Sequence, residues 1–165
     1  MTLSVGVWDA LSAKLAERAG FELLFVSGFA VAGTQLGEPD FGLLTQTEML
    51  DCARRIVRAV RVPVIVDGDT GHGGPLNVQR LVRDLIALGA AGVLLEDQVW
   101  PKRCGHMQGK EVIRAEEHVQ KIRAAVEARA LDGVLRRVLA RRAAADDDDA
   151  ADSQVPCPFN YAGRE

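Results

Sequence analysis

Three carboxylates stand where short apolar runs of the sequence end. Asp67 and Asp69 follow the run 62–66, and Glu96 follows the run 92–95. If the strand continued past Asp67, both aspartates would point to the same side, because side chains alternate along a strand. Carboxylate oxygens beside the glycines of segment 68–74 suit Mg²⁺ held partly through water. The same acids could instead cap helices or turn the chain, and their spacing leaves both interpretations open.

A second group of reactive side chains lies in segment 101–106, which reads Pro-Lys-Arg-Cys-Gly-His. Cys104 stands among Lys102, Arg103 and His106, and basic neighbours favour a reactive thiol that can act as an acid. The alternative is a small residue without a chemical role in a basic loop. Cys52 lies on the apolar face of a predicted helix, where we expect a core position.

Other motifs that contain closely spaced aspartates fit the letters less well. A calcium loop beginning at Asp67 needs Gly and Glu where this chain has His72 and Val78. A phosphate-binding P-loop needs Gly-Lys-Ser or Gly-Lys-Thr after the glycines, and neither occurs there. A haloacid dehalogenase-type phosphotransferase would place Thr four residues after the first Asp, whereas Thr70 is three residues after it. A small phosphotransferase therefore remains a minor alternative.

The elements that must position these residues alternate between short apolar runs and segments of helical period. This order predicts α/β architecture with parallel β/α units. We expect strands at 4–7, 23–26, 62–66 and 92–95, separated by a first helix ending at Gly20, a helix from Thr45 or Thr47 to about residue 60, and a helix over 76–88. A long glycine-containing loop is predicted over 27–40, and a last helix over about 115–129.

Two of these helices have apolar positions that we expect to face the core. They are Leu11, Leu15, Ala16 and Ala19 in the first helix, and Val119, Ile122 and Val126 in the last. Ligands of parallel α/β folds lie beyond the carboxyl ends of the strands, where the three carboxylates stand. Four strands alone do not distinguish an open sheet from a closed barrel.

Composition restricts the partners of this 165-residue chain. Its formal net charge is −3 and its charges are interspersed, so we expect neither nucleic acid nor a membrane surface as a partner. Three cysteines without paired spacing indicate no disulfide framework or structural zinc site. The chain contains neither a signal-peptide pattern nor an apolar run of about 18 residues, which favours a cytoplasmic protein.

Five segments together resemble one family. Segment 66–73 reads Val-Asp-Gly-Asp-Thr-Gly-His-Gly, and Leu-Glu-Asp-Gln at 95–98 precedes the Cys-Gly-His segment. Shorter matches lie at 8–13, 26–28 and 37–40. Over about residues 5–129 the chain resembles the isocitrate lyase and phosphoenolpyruvate mutase superfamily, and it looks closest to 2-methylisocitrate lyase-like proteins.

The resemblance implies a fold, an activity and a set of site residues. The implied fold is a (β/α)₈ TIM barrel, of which residues 1–130 would supply the first four to five βα units. The implied activity is an Mg²⁺-dependent carbon–carbon lyase, which acts on a 2-methylisocitrate-like or alkylmalate-like acid through the enolate of a 2-oxo acid. Asp67, Asp69 and Glu96 would hold Mg²⁺, while Cys104 as proton donor and Glu96 would be catalytic. The implied contacts to a small di- or tricarboxylic acid come from Phe25, Ser27, Gly28, Asp40, Lys102, Arg103, Gly105 and His106.

Residues 131–165 depart from this pattern, with an Arg/Ala-rich stretch followed by the acidic run 146–149. We predict a divergent, disordered tail there, because no periodic apolar face continues. A barrel of this kind needs about 200 to 250 residues, so an inactive truncated or frameshifted fragment is one alternative. An oxaloacetate decarboxylase or phosphonomutase-like member is another. A homo-oligomer is possible, although the exchanged last helix of family oligomers has no counterpart in the sequence.

Overall fold

Four parallel strands form one sheet in the order in which they follow one another along the chain. In the computed structural model, which describes residues 2–105 and 107–131, they are β1 (Ser4–Val7), β2 (Leu23–Val26), β3 (Val64–Asp67) and β4 (Gly92–Leu94). A doubly wound sheet reverses its strand order at a switch point, whereas a β/α barrel adds each strand beside the previous one. The consecutive order confirms parallel β/α units and matches a segment of a barrel.

Helices connect the strands, and most of them begin and end where the sequence predicts. They are α1 (Ala10–Arg18), α2 (Gly28–Val31) continued by the π-helical residues Ala32–Leu36, α3 (Gln46–Ala59), α4 (Pro75–Leu88) and α5, helical over 115–131. Thr45 caps α3 in a reciprocal arrangement: its Oγ1 accepts from the Glu48 N–H at 3.3 Å, and its own N–H donates to Glu48 Oε2 at 2.8 Å. Gly89, with φ of 88°, ends α4 as predicted.

The core lies between one face of the sheet and helices α1, α3 and α4. Leu24 and Val26 of β2 are completely buried, and Val66 of β3 is buried beside them. Ile56 of α3 is equally buried. The predicted core position of Cys52 is confirmed, since it is 2% exposed and its thiol donates to the Trp8 carbonyl at 3.1 Å.

Two predicted apolar faces are wrong at their large residues, although Ala16 of the predicted α1 face is partly buried and packs against the core. Leu11 and Leu15 of α1 are exposed, because the helix packs through the small residue Ala13. The same holds for α5, where Val119, Ile122 and Val126 are exposed. The buried side of α5 consists instead of Lys121, Ala124 and Ala128. Alanines therefore form a large part of both contact faces, at Ala13, Ala124 and Ala128.

The segment 27–40 also differs from its prediction as a loop. Residues 28–36 are helical, and the Ser27 hydroxyl caps this turn by accepting from the Ala30 N–H at 3.4 Å. Gly37, with φ of 67°, ends the π-helical turn. Gly28 and Gly33 lie within this helical segment, and glycine disfavours helix, which explains why the sequence pattern indicated a loop.

The predicted tail over 131–165 lies outside the described residues except for Leu131. No helix in the part of the chain that the structure describes is long and apolar enough to cross a membrane.

Candidate active site at the carboxyl ends of the strands

Asp67 ends β3 and is held by two backbone donors. The Asp69 N–H donates to its Oδ1 at 3.0 Å, and the Gly28 N–H donates to its Oδ2 at 3.1 Å. A Cβ at Gly28 would lie 2.9 Å from the same Oδ2, so only glycine allows this close approach. The carboxylate is thus fixed between the end of β3 and the start of α2.

Asp69 does not continue the strand. It has a φ of 48°, in the left-handed region that non-glycine residues seldom occupy. The chain therefore turns after Gly68, and the backbone carbonyl of Asp69 accepts from the Glu96 N–H at 2.7 Å. The backbones of Asp69 and Glu96 are therefore adjacent, and a turn, not strand alternation, brings them together.

A buried ammonium lies among the carboxylates. Lys102 is 1% exposed, and its Nζ lies 3.0 and 3.1 Å from the two carboxylate oxygens of Asp40. The same Nζ forms an ion pair with Oδ1 of Asp69, a residue that is also 1% exposed. Burial lowers the pKa of Lys102, but the charges of Asp69 and Asp40 outweigh this effect, so the pKa lies above its ordinary value. Lys102 is thus a charged residue that joins segment 101–106 to the loop before α3.

Negative charge exceeds positive charge at this point of the molecule. Burial raises the pKa of Asp67, and the neighbouring charge of Asp69 adds to the effect. Burial also raises the pKa of Glu96; Lys102 opposes this, while Asp67 and Asp69 reinforce it. Two carboxylates, Asp40 and Asp69, therefore pair with the ammonium, while Asp67 and Glu96 lie near it without an ion pair.

These acids surround a cation but do not form a ready-made metal cage. Among the described residues, no three carboxylate, imidazole or thiol groups converge closely enough to bind a metal ion together. The Lys102 ammonium occupies the position between Asp40 and Asp69. Mg²⁺ commonly keeps several waters and binds proteins through one or two carboxylates, so a water-mediated site is compatible with this geometry.

Cys104 follows Lys102 by two residues and is buried, with a reduced thiol. The residues next to Cys104 in the sequence do not all lie beside the carboxylates. The exposed Arg103 donates from Nη1 to the Gln108 carbonyl at 3.2 Å, so its guanidinium lies along its own loop. Gly105 is exposed, and His106 lies outside the described residues. Of the predicted basic neighbours, Lys102 alone is shown among the carboxylates.

The remaining predicted substrate contacts lie on β2 and just beyond it. Phe25 is opposite Ile65 in the sheet register, on the face away from Leu24 and Val26. Since alternate residues share a face, Phe25 and Asp67 are on the same side of the sheet. Ser27 follows β2, but its hydroxyl caps α2. Phe25 and Asp67 thus share the sheet face that is not covered by the core helices.

Two polar residues of the site have no role in the sequence-based prediction. Gln98 is buried and its side-chain Nε2 donates to Glu96 Oε2 at 2.9 Å. Lys121 of α5 is buried and donates to the Thr70 carbonyl at 3.1 Å, which ties α5 to the loop after β3. Gln98 belongs to the matched motif at 95–98, whereas no sequence signal marks Lys121 as anything but a surface residue.

Known proteins of one family are similar to this chain over most of its length. Residues 1–153 match the model of the phosphoenolpyruvate phosphomutase family. The petal death protein of Dianthus caryophyllus is 61% identical over 127 residues, which cover 76% of this chain and 40% of the relative. The 2,3-dimethylmalate lyase of Eubacterium barkeri is 49% identical over 129 residues, covering 78% of this chain and 45% of the relative. The chain thus spans less than half the length of these two relatives.

A solved structure agrees with the fold as well. The crystal structure of a phosphonopyruvate hydrolase complex with oxalate and Mg²⁺ superimposes with a TM-score of 0.70 at 35% identity. The matched region covers 78% of this chain and 43% of that chain. The consecutive parallel strands, the acids at their carboxyl ends and the family match over residues 1–153 lead to one assignment: this chain belongs to the phosphoenolpyruvate phosphomutase family, within the isocitrate lyase and phosphoenolpyruvate mutase superfamily.

Proposed function

We propose that this chain carries the metal-binding and proton-donating residues of an Mg²⁺-dependent carbon–carbon lyase. The substrate would be a 2-methylisocitrate-like or alkylmalate-like acid, cleaved next to the carbonyl of the released 2-oxo acid. The observation that carries the proposal is the buried Lys102 ammonium, which joins the cysteine-containing segment to Asp69, just after β3, and to Asp40, in the loop before α3. The 2,3-dimethylmalate lyase relative supports an alkylmalate-like substrate.

The residues present fit a divalent cation. Burial raises the pKa of both Asp67 and Glu96, and the neighbouring charge of Asp69 adds to the rise at each carboxyl, so a nearby cation would stabilise both carboxylates. Asp67, Asp69 and Glu96 would hold Mg²⁺, in part through water. When bound, the ion supplies positive charge that favours cleavage beside the carbonyl of the oxo-acid. The relative solved with oxalate and Mg²⁺ supports this choice of ion.

The chain's own side chains would bind the acid and supply the proton. Cys104 would hold the proton that is given to the carbon released by bond cleavage. Because Cys104 is buried, its thiol would meet that carbon away from bulk water. The sheet face of Phe25, together with Ser27 and Gly28, would form the floor beneath the substrate, and Arg103, Gly105 and His106 remain predicted contacts.

The test is a comparison of product release and metal binding in the same preparations. We expect release of a 2-oxo acid from a panel of 2-methylisocitrate, isocitrate and alkylmalates in the presence of Mg²⁺, and no release with chelator. Cys104→Ala should remove most turnover while Mg²⁺ binding, measured by calorimetry, is retained. Cys52→Ala is the matched control, because that thiol is buried in the core and bonds to the Trp8 carbonyl.

Phosphonopyruvate and oxaloacetate belong in the panel because the matched family model is that of a phosphomutase. Turnover of either compound, with none of the hydroxy acids cleaved, would replace the lyase by a mutase, hydrolase or decarboxylase. Absence of Mg²⁺ binding in calorimetry would overturn the metal assignment.

A further inference from the structure

The side chain of Gln98 forms three hydrogen bonds that connect two parts of the candidate site. Its Nε2 donates to Glu96 Oε2 at 2.9 Å and to the Arg103 carbonyl at 2.9 Å. Its Oε1 accepts from the Arg103 N–H at 3.0 Å. One buried amide is thus bonded to a proposed metal-binding carboxylate and to both backbone groups of a single residue in the cysteine-containing segment.

Only one orientation of the amide satisfies these partners. The amide nitrogen faces a carboxylate oxygen and a carbonyl oxygen, both of which accept, and the amide oxygen faces an N–H, which donates. A rotated amide would bring its oxygen against two acceptors and its NH₂ group against a donor. Because Gln98 is 8% exposed, water cannot readily replace the lost partners. The position therefore requires a neutral side chain that both donates and accepts.

The backbone around Gln98 is held independently of this side chain. Residues 98 and 112 form an antiparallel bridge, the Val99 N–H donates to the Glu111 carbonyl at 2.8 Å, and the Ile113 N–H donates to the Asp97 carbonyl at 2.8 Å. Backbone hydrogen bonds thus hold the two ends of segment 97–113 together without the Gln98 amide. The amide instead reaches across the segment to residue 103, which stands between Lys102 and Cys104.

We infer that Gln98 is a positioning residue that couples the Glu96 carboxylate to the placement of Cys104. This inference rests on the proposed function, in which Glu96 holds the metal and Cys104 holds the proton. A change in the charge around Glu96 alters its hydrogen bond to the Gln98 amide. The same amide holds the backbone of Arg103, the residue directly before Cys104. In this way binding of the ion and placement of the proton donor are linked.

The test measures the rate at which iodoacetamide alkylates each cysteine, identified by peptide mapping, with and without Mg²⁺. In the unchanged chain we expect Mg²⁺ to alter the alkylation rate of Cys104. In Gln98→Met the metal-free rate should rise about 10- to 30-fold, because the hydrogen bonds that hold the neighbouring backbone are lost and local opening becomes easier. The dependence of that rate on Mg²⁺ should disappear, while calorimetry still detects metal binding.

Two controls separate positioning from loosening of the fold. Gln79→Met removes a partly exposed glutamine of α4 that donates to Glu127 Oε2 at 3.3 Å, and it should leave Cys104 unchanged. Cys52 in the core reports global opening and should keep its slow rate in both variants. Gln98→Asn keeps the amide but shortens the side chain by one methylene; it should behave like Gln98→Met, and it serves if the methionine variant does not fold.

The outcomes distinguish this inference from the proposed function. An unchanged Mg²⁺ response of Cys104 in both Gln98 variants would overturn the coupling, as would an equal rise for Cys52. If the unchanged chain binds no Mg²⁺, the proposed metal role fails. The metal-free alkylation rates then still decide whether Gln98 positions Cys104.

Discussion

Replacing Lys102 by Met tests whether the ammonium offsets the crowded carboxylates. The Lys102 side chain is 1% exposed, and those of Asp40 and Asp69 are 10% and 2% exposed. Methionine has a similar length and no charge, so the substitution leaves two buried carboxylates without their shared partner. In contrast to the loss of a surface ion pair, this change removes the one nearby cation that the structure places between these two acids.

The expected magnitude follows from that burial. Removal of one member of a buried ion pair costs about 3–5 kcal/mol, because the remaining charge is uncompensated. Two carboxylates lose a partner here. We therefore expect the metal-free variant to lose an unfolding free energy within or above this range near pH 7. Mg²⁺ at 100 times its dissociation constant adds about 2.7 kcal/mol to the stability of any form that binds it only when folded. The variant should bind the ion more tightly, since the repulsion between the ammonium and the ion is gone, and Mg²⁺ should therefore add more to its free energy of unfolding.

The assay is urea unfolding followed by circular dichroism, with chelator and with Mg²⁺. Lys14→Met is the control, because Lys14 is exposed on α1, and it should change the free energy of unfolding by less than about 0.5 kcal/mol. In chelator we expect a large difference in unfolding free energy between Lys102→Met and the unchanged chain. In Mg²⁺ we expect a smaller difference. A loss equal to that of Lys14→Met, or a gap that Mg²⁺ does not reduce, would refute the charge argument.

Three further substitutions test single contacts. Gly28→Ala should weaken Mg²⁺ binding about 10- to 100-fold in calorimetry, because its Cβ displaces the adjoining carboxylate; Gly33→Ala, with nothing within 4 Å of the added Cβ, should not, and equal affinities would contradict this. Burial raises the pKa of Cys52 from 9.0 to about 11. The contribution of the neutral thiol to the free energy of unfolding is therefore fully present below pH 9 and is lost between pH 9 and 11. Cys52→Ala should therefore remove up to about 2–3 kcal/mol of the alkaline decline in unfolding free energy, and an identical decline would refute the assignment. Thr45→Ala should lower the unfolding free energy by about 1 kcal/mol, whereas Thr47→Ala, inside the first turn, should have a smaller effect; the reverse order would show that the cap is misplaced.

The fold was predictable wherever a local pattern determines an element. Strands β1 and β2 occupy the predicted residues, because each is a short apolar run between turn-forming residues. The cap at Thr45 was predictable because both of its hydrogen bonds are made with one residue, Glu48, three positions along the chain. The buried faces of α1 and α5 were not, since a pattern of apolar residues does not show which neighbour covers them. In both helices the contact is made largely by alanines, at Ala13, Ala124 and Ala128.

In the candidate site, too, some features could be predicted from the sequence and others could not. Asp67, Asp69 and Glu96 were expected to meet because the carboxyl ends of parallel strands share one edge of a sheet. The bond from Lys102 to Asp40 joins residues 62 positions apart, and no spacing rule predicts such a contact. The role of Gln98 was equally hidden, because it depends on where the backbone of residue 103 returns toward the end of β4.

The distribution of charge explains how such a site can fold without an ion and still attract one. Lys102 pairs directly with Asp40 and Asp69, so part of the negative charge is compensated in the metal-free chain. Asp67 and Glu96 form no ion pair with it, and burial raises the pKa of both carboxyls. A divalent cation placed on the side of Asp67 and Glu96 would relieve this excess without displacing the lysine. The lysine would then stay in place to hold the cysteine-containing segment, while Asp69, which pairs with the lysine, would reach the ion through water.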